Sequence, residues 1–124
     1  MHIGMNLAPV ADLNTNPDNP VIGKLSRSFS SDPAVVSLNI NLVCSTYRDE
    51  GIIPTLKHFP GHGSSTTDTH RDFTDITASW SDKELEPYRD MIASGYRDPI
   101  MTAHVFNGKL DSPVSYTHLT LPTN

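Results

Sequence analysis

Short apolar runs alternate with longer amphipathic segments along the chain. Apolar residues dominate Ile3–Leu13, and the following Asn14–Pro20 segment is rich in the turn formers Asn and Pro. We therefore predict a buried strand followed by a long loop. Two later runs, Ile52–Leu56 and Pro99–Phe106, are short and largely apolar, which is typical of buried parallel strands.

Two segments between these strands carry the start and stop signals of helices. The first segment opens with Asp32, a favoured N-cap residue, and Pro33 at the first helical position, and Gly51 ends it. In the second segment, Ser81 and Glu84 have the spacing of a capping box. The predicted order of elements is therefore β, loop, α, β, loop, α, β.

This alternation predicts an α/β fold in which helices connect parallel strands, either as a doubly wound sheet or as part of a (β/α)₈ barrel. In both architectures ligands bind at the carboxyl ends of the strands. A complete barrel takes about 250 residues, so the 124-residue chain would hold only part of one. Polar side chains follow each predicted strand: Asp12 and Asn14, Lys57 and His58, and His104 and Asn107.

The composition excludes some classes of partner. The net charge of −5 argues against a nucleic-acid partner, because phosphate contacts require clustered Lys and Arg. No run approaches the roughly 20 apolar residues that span a bilayer, so we expect no membrane segment in this stretch. Cys44 is the single cysteine, so an internal disulfide is excluded, and we expect a small buried apolar side chain there.

Candidate chemistry is concentrated in Lys57–His70, which holds three histidines, a lysine and an aspartate after the second strand. A neutral imidazole can give and take protons, and a carboxylate beside it fixes its tautomer and stabilises its cation. Asp68 and His70 are two residues apart, which permits such a dyad without requiring it. On position alone, Lys57 would point into a barrel mouth, whereas Arg27 would be a solvated surface side chain.

Two other interpretations of this segment stay open at this point. It is compatible with a surface loop whose histidines are solvated or bonded to backbone. A metal site built from His58, His62 and His70 is the other alternative. The first two have the spacing of a zinc-binding helix pair, but Pro60 and Gly61 disfavour a helix, and no Glu lies between them. We therefore expect no metal and no cofactor.

The segment Lys57–Gly63 reads KHFPGHG and is followed by Asp68-x-His70. Together these residues resemble the signature of the β-N-acetylhexosaminidase branch of glycoside hydrolase family 3. The likeness covers nearly everything from residue 3 to residue 111, and it implies that the chain is a fragment of a (β/α)₈ TIM barrel. Three further segments resemble the family in the same order: Asn6–Leu13, Arg27–Pro33 and Met101–Val105.

The resemblance implies retaining hydrolysis of a terminal β-linked N-acetylglucosamine, as in chitin-type saccharides or muropeptides. By that likeness His70 is the proton donor and acceptor, Asp68 is its dyad partner, and Arg27, Lys57 and His58 bind the sugar. A histidine acid/base departs from the usual pair of carboxylates. The family's nucleophile is an aspartate after the next strand, beyond this chain, so we expect the fragment itself to be inactive.

The resemblance also predicts the domain boundaries. Residues 1–113 correspond to part of the family's N-terminal barrel domain, whereas residues 114–124 read VSYTHLTLPTN and look like a translated sequencing adapter, which predicts an artefactual tail. A phosphorylase of the same family and a non-catalytic sugar-binding remnant remain alternatives. An Asp–His dyad would spare an incoming phosphate the repulsion of a second carboxylate. The compartment, bacterial cytoplasm or periplasm, is left open.

Overall fold

The computed structural model describes residues 3–68 and 73–110. Within these two ranges, short strands alternate with two α-helices, and a 3₁₀ helix, Asp82–Leu85, leads into the second of them. The predicted α/β alternation is therefore confirmed. In chain order the elements are β1 (Met5–Asn6), α1 (Pro33–Asp49), β2 (Ile53–Pro54), β3 (Leu56–Phe59), β4 (Thr74–Asp75), α2 (Glu86–Ala93), β5 (Ile100–Thr102) and β6 (Val105–Phe106).

The strands pair in parallel, with β1 beside β2, β3 beside β5 and β4 beside β6. A parallel bridge between Val10 and Lys57 extends the pairing beyond β1, and the Ala11 amide donates to the Lys57 carbonyl at 2.6 Å. The first predicted strand thus lies beside the second, and the second beside the third. Their carboxyl ends meet at one edge, where α/β folds place their ligands.

The first predicted strand is not buried along its whole length, which corrects the sequence-based expectation. Ile3, Met5 and Leu7 are about half exposed, and complete burial begins only at Ala11 and Leu13. Among the described strands, β1 is bonded only to β2 and so lies at a sheet edge. An apolar run indicates which side chains need cover but not whether neighbouring elements provide it.

Helix α1 begins where the sequence predicts. The Asp32 side chain accepts a hydrogen bond from the Ala34 amide at 2.9 Å, and Pro33 occupies the first turn. One face of the helix is buried through Val36, Ile40 and Cys44, which confirms that the single cysteine is a core side chain. These side chains share one core with Ala11, Leu13, Leu56, Tyr88, Met91 and Tyr96.

Replacing the N-cap residue should measurably destabilise this helix. We expect Asp32→Ala to lower the free energy of unfolding by about 1 kcal/mol, since the Ala34 amide loses its acceptor. Asp32→Asn should cost only a few tenths of a kcal/mol because asparagine caps equally well. Urea unfolding of the two variants beside wild type provides the measurement, and equal losses in both would contradict the cap.

The predicted capping box before α2 is wrong. Ser81 makes no side-chain cap hydrogen bond, the chain continues as a 3₁₀ helix, and α2 begins only at Glu86. The Glu84 carboxylate turns inward and accepts a hydrogen bond from the Gly63 amide at 3.2 Å. A buried amide needs a partner more than a solvated helix end does, because water can satisfy the latter.

The long loop predicted after Phe59 contains a strand that the sequence does not reveal. Thr74–Asp75 pairs with Val105–Phe106, and two residues are too few to establish a period.

In the ranges 3–68 and 73–110, neither helix has the length and apolar character of a membrane span.

Candidate active site

A cavity of about 230 Å³ opens at the carboxyl ends of β3 and β5. It lies where parallel α/β folds bind ligands and is smaller than the roughly 300–1,000 Å³ of sites for drug-sized molecules. This size suits a single small ring. The structure thereby brings together Arg27 and His58, two of the predicted site residues, from distant parts of the chain. The lining residues are Val21, Ile22, Arg27, His58, His62, Met101, Thr102, Ala103 and His104.

Asp12 is the buried anchor of this site, with 1% of its surface exposed. One carboxylate oxygen, Oδ2, lies 2.7 Å from Nδ1 of His58. The other, Oδ1, accepts from the backbone amides of His62 at 2.8 Å and His58 at 3.3 Å. Because a carboxylate only accepts, Nδ1 of His58 carries a proton, and in the neutral tautomer Nε2 is left as an acceptor.

His62 is the second imidazole of the cavity. Its ring meets that of His58 edge to face, with centroids 6.2 Å apart, and its Nδ1 lies 2.9 Å from the Ser65 hydroxyl. Burial lowers the pKa of His62, and the nearby Asp12 charge opposes this shift only in part. At neutral pH the His62 ring is therefore neutral, and it brings no positive charge into the cavity.

Asn19 joins the loop before α1 to the loop after β3, which contains His62 and Gly63. Its fully buried side chain donates to the carbonyls of His62 at 2.6 Å and Gly63 at 3.2 Å. Its side-chain oxygen accepts from the amides of Val21 and Ile22. These bonds hold together two loops that both line the cavity.

The two cationic side chains predicted for the site lie in different environments. Arg27 lines the cavity, and its guanidinium donates to the Val21 carbonyl at 3.0 Å. Lys57 is half-buried next to the cavity rather than among its described lining residues. Burial lowers the pKa of Lys57, the Arg27 charge lowers it further, and Asp12 acts in the opposite direction. These two cationic side chains therefore lie near the buried Asp12 carboxylate.

The predicted acid/base dyad is only partly within the described structure. Asp68 is half-buried and is not among the described residues that line the cavity, and His70 lies outside the described residues. Across residues 3–68 and 73–110, no group of three or more His, Cys, Asp or Glu side chains is placed to hold a metal ion. The alternative metal site also requires His70, so it is not tested.

Three polar residues that hold the loops of this site together by hydrogen bonds are absent from the predicted set, although each of them has a sequence signal. Asp12 follows the first predicted strand, His62 belongs to the KHFPGHG segment, and Asn19 lies among dense turn formers. Position at a strand end identifies Asp12 as a candidate. Its partnership with His58, 46 residues away, requires the fold.

Comparisons with known proteins agree with this architecture. Among curated proteins, the chain is 38% identical to the β-hexosaminidase of Tolumonas auensis over 123 residues, covering 96% of this chain and 36% of that protein. It is 35% identical to β-hexosaminidase A of Pseudoalteromonas piscicida, covering 89% of this chain and 19% of that protein. The chain therefore spans a fifth to about a third of the length of these relatives.

The chain is also similar in fold and sequence to solved structures. A glycoside hydrolase family 3 β-N-acetylglucosaminidase from Paenibacillus sp. superposes with a TM-score of 0.80 at 38% identity, covering 88% of this chain and 21% of that one. NagZ from Neisseria gonorrhoeae, in complex with N-trifluoroacetyl-D-glucosamine, gives a TM-score of 0.76 at 30% identity, covering 89% of this chain and 32% of that one.

These likenesses identify the described fold as part of a TIM-barrel-type domain. The model of the glycosyl hydrolase family 3 N-terminal domain matches residues 1–122. The matched range includes every predicted site residue. The chain therefore belongs to the glycosyl hydrolase family 3 N-terminal domain family.

Proposed function

We propose that the chain is part of a retaining β-N-acetylhexosaminidase, a glycoside hydrolase that removes terminal β-linked N-acetylglucosamine. The cavity at the strand ends, with His58 held by the buried Asp12, is the observation that supports this proposal most strongly. Its relatives carry the name β-hexosaminidase, and one similar structure holds an N-acylated glucosamine.

The chemistry of the site supports the proposed sugar-binding roles. His58 presents Nε2 as an acceptor for a sugar hydroxyl, because its Nδ1 proton is bonded to Asp12. Arg27 and Lys57 offer N–H donors to sugar oxygens, and Arg27 does so from the lining of the cavity. The chemistry of this set fits a polyhydroxylated, uncharged ring.

The proposed reaction uses Asp68 and His70 as the acid/base pair. An aspartate from another part of the longer protein attacks the anomeric carbon, and His70 gives its proton to the departing glycosidic oxygen. In the second half-reaction His70 takes a proton from water as that water displaces the aspartate. Asp68 stabilises the imidazolium whenever His70 holds the transferred proton.

The domain boundaries are part of the same proposal. We assign residues 1–113 to the barrel domain and regard residues 114–124 as an artefactual extension. The family match runs to residue 122, so it includes most of this tail. Sequencing the genomic locus separates the two possibilities: the genomic codons should diverge from VSYTHLTLPTN after residue 113, and identical codons would refute the proposed boundary.

Assay of the full-length protein that carries this segment tests the proposed activity. The full-length protein should release the chromophore from an aryl N-acetyl-β-glucosaminide without added phosphate. His70→Ala should lower kcat/KM by about 10²–10⁴-fold, the usual contribution of a general acid/base. His2→Ala, at a histidine outside every matching motif, serves as the control. Phosphate-dependent release of a sugar phosphate would identify a phosphorylase, and binding without turnover would identify the non-catalytic remnant.

A further inference from the structure

Glu84 is a buried acid at the back of the candidate site. Only 1% of its surface is exposed, although acids are almost never fully buried unless they are paired. The ion pairs formed within residues 3–68 and 73–110 do not include Glu84. Its Oε2 accepts from the Gly63 amide at 3.2 Å, and the Ser64 amide also stabilises its charged form. Its Oε2 is therefore directed at the histidine turn, residues 61–65, whereas its buried Oε1 has no hydrogen-bond partner among the described residues.

The histidine turn has a glycine, Gly61, at the point where it contacts the Glu84 side chain. Gly61 has a φ of +115°, and a Cβ built there would lie 2.7 Å from both Cβ and Oε2 of Glu84. A side chain at residue 61 would thus collide with Glu84 and also strain the backbone. The turn passes directly over the Glu84 side chain.

The opposite side of the histidine turn is held by the site itself. The His62 amide donates to Asp12, and Asn19 donates to the carbonyls of His62 and Gly63. The His62 and Gly63 backbones are therefore fixed by two carboxylates and one amide. A displacement of Gly63 would move His62, and with it the Asp12 carboxylate that orients His58.

We propose that Glu84 is a positioning residue: by binding the histidine turn from behind, it sets the geometry of the Asp12–His58 pair that contacts the sugar. This inference rests on the proposed function, because its effect on catalysis is expressed through sugar binding. Glu84 itself does not line the cavity. Its action is indirect, through the backbone of Gly63 and His62.

Three variants of the full-length protein separate the contributions of the Glu84 side chain. Glu84→Ala removes the acceptor of the Gly63 amide, whereas Glu84→Gln keeps an acceptor oxygen and the side-chain shape. Glu86→Ala, two residues away on the exposed surface, is the matched control. For Glu84→Ala we expect about a tenfold rise in KM with a smaller fall in kcat, as the sugar contacts lose their preorganisation. Glu84→Gln should restore most of the loss, and Glu86→Ala should match wild type.

Hydrogen exchange provides a readout that does not depend on activity. The peptide covering residues 58–67 should exchange faster in Glu84→Ala than in wild type or Glu84→Gln. Unchanged exchange in this peptide would overturn the inference, whether or not the protein hydrolyses sugars. Faster exchange with an unchanged KM would also overturn it, because the role would then be structural only. A wild-type protein without hydrolase activity would refute the proposed function. The exchange data would then still test whether Glu84 holds the Gly63 amide.

Ionisation of the Glu84 carboxyl should make the unfolding free energy of the protein depend on pH. Burial raises the pKa of Glu84 above its ordinary 4.5, although bonds from Ser64 and Gly63 partly oppose the shift. Protonation is thus easier in the folded state, and this stabilisation is fully present below pH 4.5 and is lost as pH rises through the folded pKa. The unfolding free energy of wild type relative to Glu84→Gln should therefore fall as pH rises from 4.5 through the raised folded pKa. A constant difference would contradict the shift.

Discussion

Gly63→Ala should be the most destabilising single substitution among the glycines of the site. A Cβ at this position would overlap the carbonyl oxygen of Leu13 and also approach the Thr15 hydroxyl. The overlapping atom belongs to the backbone of a fully buried residue, so no side-chain rotation relieves it. We expect a loss of about 3 kcal/mol or more, at the upper end of overpacking penalties, measured by urea unfolding of the purified protein.

Gly4→Ala is the matched control for this substitution. A Cβ at Gly4 meets no atom within 4 Å, and the residue has no positive φ. Its unfolding free energy should therefore change by less than about 0.5 kcal/mol, the usual range for a surface substitution. Equal stability of Gly63→Ala and Gly4→Ala would show that the histidine turn does not pack against Leu13.

Asp12→Asn should reduce the catalytic efficiency of the full-length protein by about 10–100-fold, since a charged hydrogen bond contributes about 1.5–3 kcal/mol. The amide oxygen of the new side chain can still accept from the His62 backbone, but its NH₂ group would face Nδ1 of His58. Nδ1 must then become the acceptor, and Nε2 would carry the proton. A sugar hydroxyl that donates to Nε2 in wild type would thus meet a second donor.

Asp18→Asn isolates this effect from a general loss of negative charge. Asp18 is exposed on the loop before α1, so the variant should keep wild-type kcat/KM. Asp12→Asn should raise KM more than it lowers kcat if His58 acts in ground-state sugar binding. Wild-type kinetics in a correctly folded Asp12→Asn protein would contradict the assigned tautomer.

The elements of the fold that carry strong local signals are predictable from the sequence. Asp32, Pro33 and Gly51 mark the ends of α1 because capping chemistry is local. The apolar runs correctly indicate parallel strands. The strand β4 is not predictable, since its two residues depend on pairing with Val105–Phe106, far along the chain.

The site is predictable in position but not in its connections. Strand-end polarity correctly indicates that His58 and His104 lie at one edge, whereas Arg27 reaches the same cavity from the loop before α1. The capping motif at Ser81 and Glu84 is misleading. The Glu84 carboxylate accepts a hydrogen bond from the buried Gly63 amide instead of bonding to the start of the helix. Such long-range pairings leave no period in the sequence. They arise only when the sheet edge is assembled.

A crystal structure of the full-length protein with bound N-acetylglucosamine would show whether the cavity is the sugar site. We expect one sugar ring between Arg27 and His58, with a hydroxyl within about 3 Å of His58 Nε2 and with Nδ1 still bonded to Asp12. A sugar bound elsewhere, or a His58 ring turned away from Asp12 to meet it, would contradict the proposed role of this cavity.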